Sequence, residues 1–477
     1  MEGCYNFQAL FPKSILPDVP RRPLSPVDAA WYRMDRPHNP AVITGLLSLD
    51  APVDRETVRD VFADRLLDFE RFRHRVVEMG VPWALPHWVP DEDFDLDAHI
   101  QALDLSSPGT RSQLLDRVST LASAPLPPDR PLWTAYVIDR GATSALVIRY
   151  HHCMADGTGS IVLARQLLDP TEDPSTDQPS RHPSSLPNAT SLLDRAGRGL
   201  RHGLRAGANW RRHPCSTLRH VPTLAEALSV ATHSVLSLPD PPSPLRAPLS
   251  GTQQLAHTEP FPLAAVKAVG RPVHATVNDV LTAAVAGALR RYLLAQDTEP
   301  PLPSLRAIVP VDLRDEEHAL ELGNAFGLTF LPLPVDAESP RDRLHAAKRG
   351  MDAIKDSPEA PVFLGILGLF GQLPARAQNA AATLFASKAS AVLTNVTGPA
   401  YPHTFAGRTV EQVVFWVPYP VSLGLGLSLL SYAGALTVGV MADVNVIEDP
   451  SFLVRAIEDE MEALRSAMGV APEATPP

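Results

Sequence analysis

Cysteine is scarce in this chain: only Cys4, Cys153 and Cys215 occur among 477 residues, with no CxxC or CxxH spacing. That argues against a disulfide framework or a structural zinc site and points to a reducing compartment. A basic excess is also missing. Lys and Arg number 42 against 53 Asp and Glu, a net charge of -11, which argues against a nucleic-acid-binding protein. No stretch reaches ~18 consecutive apolar residues, so no membrane-spanning helix is expected. The opening MEGCYNFQALFPKSILPDVPRRP has no basic start followed by a long apolar run, so no secretory signal is read there. The expectation is a cytoplasmic protein, soluble or attached peripherally to a surface.

What is present is enough for a large buried core. Hydrophobic residues make up 45% and charged residues 20%, and the length suggests more than one domain. Proline is abundant, with 49 residues, roughly twice the usual share of ~5%. It clusters at 169–188 and at 238–248, both read as exposed, semi-rigid connections. The expected organisation is an N-terminal domain over 1–170, a proline-rich linker over 171–249 and a C-terminal domain over 250–477.

Both outer parts mix the helical and strand periods. The stretch 54–77 carries an apolar stripe at Val58, Val61, Phe62, Leu66 and Phe69 and predicts a helix capped by Asp54. The runs 132–140 and 143–152, joined at Gly141-Ala142, read as a hairpin, and 161–168 returns to helical spacing. In the second half, 276–295 predicts a helix capped by Thr276 or Asn278, and 305–314 and 326–335 predict strands. More strands are expected at 391–399, 413–420, 423–434 and 435–444, then a closing helix over 450–468. This intermingling indicates an α/β fold of two mixed layers rather than a barrel or bundle.

The segment His151-His152-Cys153-Met154-Ala155-Asp156-Gly157 concentrates chemistry where a strand ends and a loop leads into a helix. Adjacent residues of a strand face opposite ways, so only one of the two histidines serves a given cleft. Histidine is the usual general base for an alcohol or thiol proton. Three rival readings remain at this point: a structural His pair, a metal site lacking a third ligand of recognisable spacing, and a nucleophilic Cys153.

At this motif the sequence resembles the HHxxxDG acyltransferase superfamily, and more closely the bacterial wax ester synthase/diacylglycerol acyltransferase family. The narrower resemblance is carried by LSPVDAAW (24–31), PLW (131–133), TVNDVLTAAVAGALRRYL (276–293), PVDLR (310–314), Gly323-Asn324 and NVTGP (395–399), in order. It covers residues 21 to 467. It implies two chloramphenicol-acetyltransferase-like α/β sandwich domains with the active-site tunnel between them. His152 would be the catalytic base. His151, Asp156, Gly157, Asn278 and Arg314 would support it, Asp156 holding its loop through Arg314. Asn278 either caps its helix or reaches the cleft to hold an oxyanion. Neither cofactor nor metal is implied, and acyl-CoA is the co-substrate. The chain departs from the family pattern at Thr397, where proline is common, at Asp312, where serine is common, and at Cys153-Met154.

The function this implies is acyl transfer from acyl-CoA to diacylglycerol or a long-chain alcohol at a membrane or lipid-inclusion surface. The alternatives are acylation of a secondary-metabolite hydroxyl, from a carrier-protein thioester, and an inactive lipid-binding homologue. Two segments suit a lipid surface. The stretch 191–213 sets Leu192, Leu200 and Leu204 among arginines, reading either as a membrane-surface helix or as an interdomain helix. The apolar run 362–373 reads as a shallow insertion, a tunnel wall or plain core.

Overall fold

The computed structural model describes residues 21–81, 84–105, 109–171, 238–314, 322–355 and 359–471. The basic stretch 191–213, most of the first proline-rich segment, and Cys4 and Cys215 lie outside the described residues.

Local signals start the first half. After the short strand β1 (Arg22–Pro23), Ser25 accepts the Asp28 main-chain N–H, and Pro26 opens helix α1 (Pro26–Met34). Strand β2 (Val42–Leu49) is almost wholly buried, the pattern of a strand covered on both faces. Asp54 caps α2 (Arg55–Arg65), but this helix is shorter than the stretch 54–77. A single 3-10 turn follows at Glu70–Phe72, and the chain then becomes strand β3 (His74–Val77). Val76 and Val77 pair with Trp88 and His87 of β4 (His87–Pro90), so pairing of β-branched residues overrides the helical period. Next come β5 (Ile100–Asp104), α3 (Arg111–Ser123), the hairpin β6 (Trp133–Asp139) and β7 (Ser144–His151), α4 (Gly157–Leu167) and β8 (Asp169–Pro170). Helix α4 begins four residues before 161 because Asp156 caps it, accepting the Gly159 N–H at 2.9 Å.

The second half follows β9 (Gln253–His257), β10 (Phe261–Pro262), α5 (Leu263–Gly270) and α6 (Val277–Ala295). Thr276 and Asp279 form a capping box on α6, so Asn278 is not its cap. Then come β11 (Leu305–Asp312), β12 (Phe326–Leu333), α7 (Pro340–Lys355), α8 (Glu359–Phe370), α9 (Ala375–Ala386) and β13 (Ala391–Thr397). The chain ends with β14 (His403–Phe405), β15 (Arg408–Trp416), β16 (Leu425–Tyr432), β17 (Ala435–Asp443) and α10 (Ser451–Ala467).

Two large sheets result. One runs β5-β6-β7-β2-β15-β14-β8, and the other runs β10-β17-β16-β13-β11-β12 with β9 paired to β17. Boundaries near 170 and 250 do not describe how strands are shared, because β14 and β15 complete the N-terminal sheet. Leu46 and Leu47 of β2 pair there with Val414 and Val413. The segment 238–248 also differs from an exposed connection: Asp240 and Leu245 are buried. Asp240 pairs with Arg306 at 2.7 Å, and Arg246 donates to the carbonyls of Ser387 and Ala389. Its prolines stiffen a strap whose polar groups satisfy the turn after α9.

Candidate active site

His152 continues the β7 ladder one residue beyond the strand, its N–H donating to Ala41 O at 2.8 Å. Its ring stacks on Trp31 of α1, with centroids 3.8 Å apart and planes 7° apart. Phe326 of β12 stands on another side, with centroids 5.8 Å apart. The imidazole is therefore clamped between the two halves of the chain.

Its proton placement follows from one carboxamide. Asn324 Nδ2 donates to the His152 carbonyl at 2.8 Å and to Asp28 Oδ1 at 2.8 Å. A main-chain carbonyl can only accept, which fixes the amide orientation and leaves Asn324 Oδ1 facing His152 Nδ1 at 3.0 Å. Nδ1 must then donate, and Nε2 carries the lone pair. No protein group among the described residues bonds Nε2. Burial pushes the His152 pKa down to about 4, against the opposing pull of the Asp156 carboxylate and the Asn324 bond.

A second layer holds this arrangement. Asp28 Oδ1 also accepts the Asn324 N–H at 3.1 Å, and Asp28 Oδ2 meets Arg71 at 3.1 Å. Arg71 Nη1 in turn holds the carbonyls of Cys153 and Met154, each at 2.9 Å. Burial raises the Asp28 pKa, and the Arg71 charge and Asn324 bond oppose that. Asp156, also buried, caps α4 and meets Arg314 at 2.9 Å and the Ala325 N–H at 3.1 Å. It is bound into the architecture, between α4 and the loop before β12.

The remaining sequence-picked residues separate. His151 faces away from His152: its Nδ1 accepts the Cys153 N–H at 3.0 Å, and its Nε2 lies 3.8 Å from Asp35. Burial drives its pKa down to about 3. Cys153 is fully buried, and burial raises its thiol pKa well above the usual value, a poor setting for a nucleophile. Gly157 lines the cavity, and a Cβ there would sit 2.9 Å from Val396 Cγ2. Asn278 is not part of the cavity lining, but its Oδ1 accepts from Asn395, which is. Trp133 is core, packed on Phe62 and Phe72. Asp312 accepts Thr158 Oγ1 at 2.8 Å, tying β11 to the first turn of α4.

The cavity lies between the two sheets, with about 1110 Å³ of empty space including its open mouth. Trp31, Ile43, His152 and Gly157 line one side. Across from them stand Phe326, Phe363, Leu367, Phe370 and Val396, so the run 362–373 supplies part of the wall through α8. An apolar pocket with one convergent basic nitrogen suits a ligand with a long hydrocarbon part. Among the described residues, no group of three His, Cys, Asp or Glu is placed to hold a metal ion, and no helix is long and apolar enough to cross a membrane. The reading from sequence reached His152, Asp156 and Arg314 but gave no role to Trp31, Arg71 or Asn324. Asn324 and Asp28 stood in the Gly323-Asn324 and LSPxD segments, with nothing local to say that they meet.

Comparison with known proteins identifies the family. The wax ester synthase/diacylglycerol acyltransferase catalytic domain matches residues 24–281, and the C-terminal domain of the same family matches 322–465. A probable diacylglycerol O-acyltransferase, tgs1, of Mycobacterium tuberculosis H37Rv is 30% identical over 462 residues, 92% of this chain and 95% of that protein. The wax ester synthase/diacylglycerol acyltransferase of Marinobacter aquaeolei VT8 superposes with a TM-score of 0.64 at 22% identity, covering 94% of this chain and 100% of that one. The trichothecene 15-O-acetyltransferase TRI3 of Fusarium sporotrichioides shares the fold, with a TM-score of 0.58, 13% identity, and 93% and 95% covered. The chain belongs to the wax ester synthase/diacylglycerol acyltransferase family and is an acyltransferase.

Proposed function

We propose that the protein transfers a fatty acyl group from acyl-CoA to the hydroxyl of diacylglycerol or a long-chain alcohol, with His152 as general base. One observation carries this reading: His152 has its Nδ1 proton tied to Asn324 and its Nε2 lone pair free in an apolar cavity. The base takes the hydroxyl proton at Nε2 as the oxygen attacks the thioester carbonyl. The tetrahedral intermediate collapses, the C–S bond breaks, and the imidazolium returns its proton to the leaving thiolate. Products are an ester and free CoA thiol. The exchange is redox-neutral and balanced within the two substrates.

Asp156 and Arg314 act as architecture, because the carboxylate is consumed by the α4 cap, the guanidinium and a main-chain N–H. The lipid reading is supported by α8 and α9. Their inner sides carry Phe363, Phe370 and Phe385 into the cavity, while Leu369 and Leu384 are 64% and 50% exposed. Helices of this kind suit docking on a membrane or lipid-inclusion surface.

The test is turnover of purified protein with hexadecanoyl-CoA and equal hexadecanol and dioleoylglycerol, products resolved by thin-layer chromatography. Triacylglycerol or wax ester is expected, and His152→Ala should lower kcat by roughly 10²–10⁴-fold while acyl-CoA still binds. Activity near wild type in that variant removes the base assignment.

A further inference from the structure

Beside the catalytic cavity lies a second chamber, with about 880 Å³ of empty space including its open mouth. Ile43, Val396 and Phe415 line both, so three side chains form the partition. Val396 also stands over Gly157 of the histidine motif, placing the partition next to the reacting centre.

The chamber has a floor with one position left open. Ile43, Gly45 and Leu47 share a face of β2 by strand alternation, and Ile148 of β7 and Phe415 of β15 lie directly opposite Gly45. A Cβ at Gly45 would meet only Ile148 O, at 3.8 Å. Glycine weakens a strand interior, and one reason for it is close approach of another molecule. Leu163 and Leu167 of α4 form the roof. The hydroxyls of Tyr150 and Ser160, both in the lining, are bonded to each other. Water needs two to four polar partners to stay in such a site, and a charged headgroup would find none. A hydrocarbon chain needs neither.

We infer that this chamber receives the distal part of an aliphatic chain whose reacting end lies at His152, and that Gly45 sets how long a chain fits. The inference rests on the acyl-transfer reading above. The same chemistry can be brought by the acyl group of the thioester or by the alkyl part of the acceptor, and the two arms below separate them.

The experiment uses the full chain as wild type, Gly45→Ala and Gly45→Val. Neither substitution touches a residue of the catalytic network. In one arm, thioesters from butanoyl-CoA to octadecanoyl-CoA are paired with hexadecanol; in the other, alcohols of four to eighteen carbons are paired with butanoyl-CoA. Each methylene removed from an apolar site changes affinity roughly fourfold. Gly45→Val should therefore lower kcat/KM for the longest chains by about tenfold or more and leave the shortest near wild type. Gly45→Ala should give a smaller shift in the same direction, which keeps the question answerable if the valine variant fails to fold. A length shift confined to the thioester arm assigns the chamber to the donor, and one confined to the alcohol arm assigns it to the acceptor. Length profiles parallel to wild type in both arms, for folded variants, overturn the inference while leaving acyl transfer standing. If the wild type transfers no acyl group at all, acyl transfer is what fails. Calorimetric binding of hexadecanoic acid then decides the chamber, weakened binding in Gly45→Val supporting it and equal binding overturning it.

Discussion

The carboxamide of Asn324 sits among three groups whose roles are fixed: a main-chain carbonyl, the Asp28 carboxylate and His152 Nδ1. Removing it frees the imidazole to take either tautomer and to rotate off Trp31. Asn324→Ala is expected to lower kcat by roughly tenfold to hundredfold with KM nearly unchanged, measured by steady-state kinetics. An unchanged kcat would show that stacking alone orients the ring. The pH profile tests the same residue from the other side. Burial disfavours the imidazolium and holds the pKa at about 4, so the base form is already present above about pH 5. The acid limb of kcat/KM should fall near pH 4, well below the usual histidine value of about 6.5. A limb near 6.5 would mean that the working imidazole is solvated.

Among elements, α8 is held by a close backbone approach that bears on the site. It packs on β12 at Gly327, where any Cβ would collide with the main-chain carbonyl of Ala360. Backbone cannot yield as a flexible side chain does, so the helix itself would have to move. Phe363, Leu367 and Phe370, which wall the cavity, would move with it. Gly327→Ala should cost about 1–3 kcal/mol in stability, as overpacking does, and raise KM for long-chain substrates. Thermal unfolding and kinetics on the same preparation check both; a wild-type melting midpoint would show that α8 adjusts freely. The first turn of α4 shows the opposite case, a local device. Asp156 caps it from the loop while bonded to Arg314 and the Ala325 N–H, so one buried carboxylate joins helix start, motif and the second half of the chain.

Over the whole molecule the decisive feature is the loan of β14 and β15 from the second half to the first sheet. β15 lies against β2 along its length, and its Trp416 is fully buried, with Nε1 bonded to Ala256 O at 2.9 Å. A fragment of residues 1–250 would leave β2 as an apolar edge, with unpaired backbone groups and an uncovered core, which invites aggregation. That fragment is expected to be insoluble or to lack near-ultraviolet circular dichroism when expressed alone. A soluble fragment with native near-ultraviolet signal would show that the N-terminal half folds without its borrowed strands.

Much of this was legible in the residues themselves. Capping at Asp54 and Thr276, the hairpin over 133–151 and the strand-loop-helix context of His152 follow from neighbours within a few positions, where sequence pattern and backbone geometry coincide. The resemblance to the family, rather than the residues alone, implied Asp156 and Arg314 as a pair to look for. What only the tertiary structure decided is who meets whom. A strand's own pattern does not say which sheet it joins, so nothing local assigned 403–416 to the first one. The helical period of 54–77 gave way to a strand once β4 offered partners. Asp28 and Asn324 lie 296 residues apart, and Asn324 and His152 lie 172 apart. Hydrogen-bond partners at such separations are chosen by the packing of sheets and helices, which brings together groups whose own neighbours carry no sign of the encounter.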